Sequence, residues 1–220
     1  MNSIIGKKAP NLRISDWIQG YPTNIDKERD NVVLVEVFQV NCPGCFIYGI
    51  PESIRLLNLF GSNNFKVLGL ATAFEDYDKN NLENLGKLIQ SGEVIGETQR
   101  VLSQYGKLRE GNKLTYRIPY PVAMDDLQRL DTNLTESKVM DFIEANVENF
   151  RSFGEKERQR IITNVKQYLR TKIYSAKTFE EYELKGTPSS ILIDKKGFVQ
   201  DISFGSSDSL EYHIEQLLKN

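Results

Sequence analysis

Cysteine and histidine are scarce in this chain. Its 220 residues include two cysteines and one histidine. One chain therefore cannot supply four cysteines, three cysteines with a histidine, or three histidines to zinc, and there is no HExxH. Chain-internal structural zinc is excluded. The one histidine, His213, lies in SSDSLEYHIEQLLKN beside the apolar series Leu210, Ile214, Leu217 and Leu218. That segment reads as a final helix whose packed face His213 flanks without doing chemistry. Long apolar runs are also missing. The longest, Val32-Val33-Leu34-Val35-Glu36-Val37-Phe38, carries a carboxylate inside it, whereas a membrane span needs roughly 20 apolar residues. Nor does one charge prevail: 28 basic and 30 acidic side chains give a net charge of −2, with no field to attract nucleic acid or an anionic membrane. The opening MNSIIGKKAPNLRISDW lacks the basic start, apolar stretch and small-residue cleavage site of a secretory signal, which predicts a cytoplasmic protein. What remains is an ordinary folding composition, 40% hydrophobic and 26% charged, in a length that suits one domain with an elaboration.

VVLVEVF is rich in β-branched residues and short enough to be a buried strand. Cys42-Pro43-Gly44-Cys45 follows, and FIYGIPESIRLLNLF then has apolar positions at Ile50, Ile54, Leu57 and Phe60, near helical period, with Pro51 placed to kink the helix. FKVLGLATA at 65–73 and YPVAM at 120–124 read as further buried strands, with helical segments around Leu82 to Ile89 and Thr98 to Leu108. The alternation of strand and helix predicts parallel strands. SSILID and GFVQDISF, joined by Asp194-Lys195-Lys196-Gly197, predict a hairpin.

Between YPVAM and SSILID lies a stretch far longer than an ordinary connection. Val139, Met140, Ile143, Val147 and Phe150 mark one helical face, and Ile161, Ile162, Val165, Leu169 and Ile173 another. The spacing predicts a helical hairpin inserted at about 127–177 into a single domain spanning 1–220. Asn133 and Glu136 suit a capping box for its first helix. Glu136, Asp141, Glu144 and Glu148 make that helix acidic, while Lys156, Arg158, Arg160, Lys166, Arg170 and Lys172 make the second basic. Complementary solvated faces and a docking surface both fit.

A C-x-x-C tetrapeptide is shared by zinc knuckles, iron-sulfur proteins and redox enzymes; its context between strand and helix favours the last. A cysteine at such a junction points its sulfur at the helix N-terminus, where free amides and the macrodipole favour the thiolate that attacks in disulfide exchange. Two intervening residues let the second sulfur reach back and displace the first from a mixed disulfide, and Pro43 suits a first helical turn. Glu36, six residues before Cys42, shares a strand face with Val32, Leu34 and Phe38. Buried there, it has a raised pKa and can relay a proton to Cys45; at a strand end, it reaches solvent.

The order of these features resembles a thioredoxin-like protein of the redoxin or TlpA-like thiol-disulfide oxidoreductase family. Gly6-Lys7-Lys8-Ala9-Pro10 resembles that family's opening G-x-x-A-P, VLVEVFQVNCPGC its strand and redox motif, and EYELKGTPSSILIDKKG its cis-proline and hairpin. The resemblance implies an α/β three-layer sandwich, a central mixed sheet with flanking helices. It implies thiol-disulfide exchange with protein substrates, with Cys42 as nucleophile, Cys45 as resolving thiol and Glu36 as the buried acid. It also implies a cis Thr187-Pro188 loop facing the motif, so that Thr187, Pro188, Pro43 and Gly44 form the substrate-facing surface. A bare Thr-Pro pair would by itself read as a trans bond opening a strand. The expected partners are protein disulfides or dithiols and a reductant that the sequence does not identify. No cofactor or metal is implied beyond the cysteine pair.

The chain departs from that family at several positions. Asn41 stands where tryptophan is typical, Phe46 where a basic residue is common, and Tyr48 where many members carry an acid. Pro51 lies one residue further from Cys45 than usual, which predicts a local bulge or shifted kink. Two other functions stay open: a peroxiredoxin-type antioxidant, and a non-catalytic adaptor binding through the fold and hairpin. The peroxidase pattern P-x-x-x-T-x-x-C fits neither cysteine, because Val35 and Gln39 precede Cys42 at the required spacings, and Phe38 and Cys42 precede Cys45.

Overall fold

The computed structural model describes residues 4–131, 134–207 and 209–219. Its strands are β1 (Ile14–Gln19), β2 (Val32–Phe38), β3 (Phe65–Ala71), β4 (Leu108–Arg109), β5 (Lys113–Leu114), β6 (Val122–Asp125), β7 (Leu127–Arg129), β8 (Tyr174–Ala176), β9 (Ser189–Ile193) and β10 (Val199–Phe204). Its helices are α1 (Ile50–Phe60), α2 (Leu82–Ser91), α3 (Gly96–Gln104), α4 (Glu136–Asn146), α5 (Glu155–Thr171), α6 (Lys177–Glu181) and α7 (Leu210–Lys219). The chain forms two compact units, Met1–Leu127 with Ala176–Asn220, and Gln128–Ser175.

In the first unit the valine-rich β2 is buried along its whole length, and it lies inside a six-stranded sheet of order β1-β6-β3-β2-β9-β10. Its pairing with β3, and that of β3 with β6, is parallel. β9 runs antiparallel to β2 and to β10, and β1 antiparallel to β6. Alternation along β2 builds both faces. Val32, Leu34 and Phe38 pack with Ile50, Leu56, Phe60 and Ile214; Val33, Val35 and Val37 pack with Leu12, Ile25 and Tyr182. Fully burying such side chains contributes roughly 1.5–3 kcal/mol each, so the sheet is fixed between two layers. The β9–β10 turn forms as its residues predict: Gly197 takes a positive φ of 80°, and Asp194 Oδ1 accepts the amides of Lys196 and Phe198, both at 2.9 Å.

Several boundaries differ from expectation for local reasons. β6 begins after Pro121, which has no N–H to give a ladder. α3 stops at Gln104; Gly106 then turns the chain at φ 62°, and Leu108 enters the short β4–β5 hairpin instead of extending the helix. Neither β1 nor the five-residue α6 is anticipated by pattern.

The second unit holds α4 and α5, whose predicted stripes meet one another. Val139, Ile143 and Phe150 are buried against Met140, Val147, Ile161, Ile162, Val165 and Leu169. Ile173 does not join them and stays exposed. Asn133 lies outside the described residues; the cap of α4 is Thr135, whose side chain accepts from the Lys138 amide at 3.3 Å. Some of the charges pair within α5, as Arg158 with Glu155 and Arg160 with Glu157. One pair, Lys166 with Glu136, spans the two helices at 3.4 Å.

Candidate functional site

β2 delivers the motif to the edge of the sheet's central pair and then turns directly into helix. Pro43 and Gly44 are already helical, and Cys45–Gly49 form a π-helical turn leading into α1. Ile50 closes that turn by donating to the Cys45 carbonyl. Pro51 comes next and has no N–H, so a π pattern would leave the Phe46 carbonyl empty. The Tyr116 hydroxyl fills it at 3.0 Å, and burial pushes the Tyr116 pKa up, keeping the proton that the bond requires. The wide turn thus accommodates the extra residue before Pro51, which is the bulge predicted from its displaced position.

Cys42 and Cys45 are joined by a disulfide, with Cα atoms 5.4 Å apart. The two sulfurs have different surroundings: Cys45 is fully buried, while Cys42 is partly exposed. The Cys45 amide donates to Cys42 Sγ at 3.3 Å, a contact that stabilises negative charge on that sulfur once it is reduced. Cys42 Sγ also lies 3.5 Å from the Thr187 carbonyl oxygen. The Thr187-Pro188 bond is cis. Pro188 gives its carbonyl to the Gly205 amide at 2.9 Å, while Thr187 makes no backbone hydrogen bond among the described residues. The cis-proline loop and the motif therefore face each other, as the resemblance implied.

Asn41, at the position where the resembled family has tryptophan, is held by its neighbours. Its amide donates to Asn80 Oδ1, its Nδ2 to Asp76 Oδ2, and its Oδ1 accepts the Glu97 amide, at 2.8, 2.7 and 2.7 Å. The residue before Cys42 is pinned by three bonds, two to the loop after β3 and one to the first turn of α3. A Cβ at Gly96 would stand 2.5 Å from Asn41 Oδ1, so glycine there leaves room for the bond.

Glu36 does not reach solvent. It is 1% exposed, and burial pushes its pKa from 4.5 up to about 8, with the Ser190 hydrogen bond pulling down and the Glu52 carboxylate pushing up. Ser190 Oγ donates to Oε2 at 2.8 Å, while Oε1 is buried without a partner. Two residues that sequence reasoning missed complete this corner. Ser190 is one; Gly49 is the other, since a Cβ there would stand 2.2 Å from Glu36 Oε1 and 2.6 Å from Pro188 Cβ. Gly49 has ordinary helical dihedrals, so it is needed for space. A Cβ at Gly44 would meet only Pro188 Cδ at 3.7 Å, an ordinary contact.

Among the described residues, no group of three or more His, Cys, Asp and Glu side chains stands where it could hold a metal. No helix among them is long and apolar enough to cross a membrane. His213 stays at the surface, 3.8 Å from Asp201 Oδ2.

No family model matches the chain, and no curated protein matches it. Solved structures do. One is a thioredoxin-like superfamily protein, with TM-score 0.58 and 24% identity over 97% of both chains. Another is a thiol-disulfide isomerase from Corynebacterium glutamicum, with TM-score 0.57 and 24% identity over 96% of this chain and 97% of that one. A third is an uncharacterized conserved protein from Geobacillus kaustophilus, with TM-score 0.52 and 13% identity over 100% of this chain and 84% of the other. These likenesses show that the chain has a thioredoxin-like fold.

Proposed function

We propose that this thioredoxin-fold protein is a thiol-disulfide oxidoreductase acting on protein substrates. The observation that carries the reading is a disulfide with one partly exposed and one buried sulfur, set beside a cis-proline loop and backed by a buried acid. Exchange needs a sulfur that a large substrate can reach and a second that only the enzyme's own mixed disulfide meets. Cys42 and Cys45 meet those two needs.

In the reducing direction, the Cys42 thiolate attacks a substrate disulfide, forming a Cys42–substrate bond and releasing one substrate thiolate. Cys45 gives its proton towards Glu36 and attacks Cys42 Sγ, which releases the second substrate sulfur as a thiolate and leaves the Cys42–Cys45 disulfide. Two electrons pass from the enzyme pair to the substrate, and an external dithiol restores the reduced pair by the same exchange. In reverse, neutral Glu36 supplies the proton that Cys45 needs as leaving group. An acid with pKa about 8 takes and gives that proton near neutral pH. The amide and carbonyl of Thr187, which make no backbone hydrogen bond among the described residues, suit backbone pairing with an extended substrate peptide. The partly exposed Pro43 and Gly44 form the surface around it, whereas Pro188, expected there too, is buried and supports the loop from beneath.

Insulin reduction and peroxide consumption measured side by side test the reading. The wild type reduces insulin and does not consume peroxide faster than free dithiol; Cys42→Ser abolishes reduction, and Cys45→Ser accumulates a mixed disulfide through Cys42. Trapping through Cys45 in Cys42→Ser, with none through Cys42, would reverse the cysteine roles. Peroxide turnover without insulin reduction would favour the peroxidase alternative, and neither activity would leave the adaptor.

A further inference from the structure

A row of polar side chains crosses the sheet from Glu36. Register sets Glu36 opposite Ser190 and Ser190 opposite Ser203, and directly opposed residues on antiparallel strands point to the same face. Ser190 is 7% exposed. Its hydroxyl donates to Glu36 Oε2, whereas Glu36 Oε1 and Ser203 Oγ are both buried without a hydrogen-bond partner.

The two oxygens of a carboxyl are equivalent until their neighbours distinguish them. In the neutral acid one oxygen carries the proton and the other only accepts. A hydroxyl donating to Oε2 uses that oxygen as the acceptor, so the proton belongs on Oε1. Oε1 in turn faces Gly49 and Pro188. Gly49 lies four residues after Cys45 in the π-helical turn, and residues at that spacing share a helix side. We infer that Ser190 is a positioning residue, which holds Glu36 by Oε2 and so assigns its proton to Oε1, the oxygen facing the helix that carries Cys45.

The inference rests on the oxidoreductase reading for its purpose, though not for its geometry. Without the hydroxyl, either oxygen could carry the proton, and the bond that opposes desolvation would be lost while the Glu52 carboxylate pushes the same way as burial. The carboxyl would then stay neutral to higher pH and accept the Cys45 proton less readily.

The test compares Ser190→Ala, Ser190→Thr and Ser203→Ala. Two readouts are taken: titration of the Glu36 side-chain carboxyl by carbon NMR in the oxidised protein, and the single-turnover rate of mixed-disulfide resolution against pH. Ser190→Ala should raise the Glu36 midpoint by roughly one pH unit. It should slow resolution at pH 7 about tenfold, a gap that closes at high pH as the carboxyl ionises in both proteins. Ser190→Thr keeps a hydroxyl at the position and should restore both readouts. Ser203→Ala removes a buried hydroxyl that makes no bond to Glu36, and should change neither. In a Glu36→Gln background, Ser190→Ala should have no further effect on the pH profile. An unchanged midpoint in Ser190→Ala, or equal slowing at every pH with or without Glu36, would overturn the inference and leave Ser190 as sheet packing. If the wild type exchanges no disulfides at all, the oxidoreductase reading fails, while the NMR midpoint still decides the role of Ser190.

Discussion

Two carboxylic acids are buried in the same sheet, Glu36 in β2 and Asp125 at the end of β6, 1% and 0% exposed. Their partners differ. Asp125 Oδ1 accepts the Thr178 amide at 2.8 Å, and its Oδ2 accepts the Thr72 hydroxyl at 2.8 Å and the Phe179 amide at 3.2 Å. Both oxygens are used, and they tie the start of α6 to the sheet. Glu36 has one bond and one empty oxygen. Burial raises both acids; at Asp125 the bonds from Thr178, Thr72 and Phe179 all pull back, whereas at Glu36 one hydroxyl leaves the pKa at about 8. Burial by itself therefore does not mark a chemical group. What sets Glu36 apart is its unfilled oxygen, and under the proposed function its proton is the one that moves.

The largest effect expected from this contrast is on stability against pH. Below pH 4.5 Glu36 is neutral in both the folded and the unfolded chain and exacts no penalty. As pH rises from 4.5 to about 8, the unfolded carboxyl ionises while the folded one stays neutral, so stability falls by about 1.4 kcal/mol per pH unit. The full loss is on the order of 5 kcal/mol. Denaturant unfolding of the oxidised protein at pH 5 and pH 8 should show this slope in the wild type and lose it in Glu36→Gln; parallel losses would remove Glu36 from the account. Asp125→Ala comes next. It strands two amides and a hydroxyl and should lower stability by about 2–4 kcal/mol, with exchange per folded molecule unchanged. If exchange falls with it, the division between structural and chemical acid fails. Gly49→Ala forces a methyl group onto Glu36 Oε1 and Pro188; overpacking of this kind costs about 1–3 kcal/mol, and the Glu36 titration should move with it. Gly44→Ala meets only an ordinary contact and should stay within about 0.5 kcal/mol. Equal effects of the two glycine substitutions on the Glu36 midpoint would show that Gly49 is not kept for the carboxyl.

Local sequence carries one part of this arrangement and not the other. VVLVEVF announces a buried strand, its alternation puts Glu36 among Val32, Leu34 and Phe38, and the cysteine motif follows at its end. Even the π turn has a local sign in the displaced Pro51. The partners that distinguish the two acids have none. Ser190 is 154 residues from Glu36, and Thr72 is 53 from Asp125, so only the strand register brings them together. Gly49 looks like any helix glycine until Oε1 is placed beside it. β1 escapes for a different reason: its pairing with β6 has register shifts at two points, and each bulge flips the side chains that follow, erasing the alternation that marks a strand. The five residues of α6 are too few to show a helical period.

The central claim is that Glu36 exchanges a proton with the resolving thiol Cys45, and it is tested most directly by the rate of mixed-disulfide resolution against pH. A single-turnover reaction with a stoichiometric mixed disulfide on Cys42 isolates that step. In the wild type the rate should rise with pH through a midpoint near 8, where the carboxyl becomes able to accept the proton. In Glu36→Gln it should fall by roughly a hundredfold near neutral pH and lose that midpoint, while the initial attack by Cys42 changes little. Superimposable profiles for the two proteins would contradict the claim and leave Glu36 a buried acid with no part in the exchange.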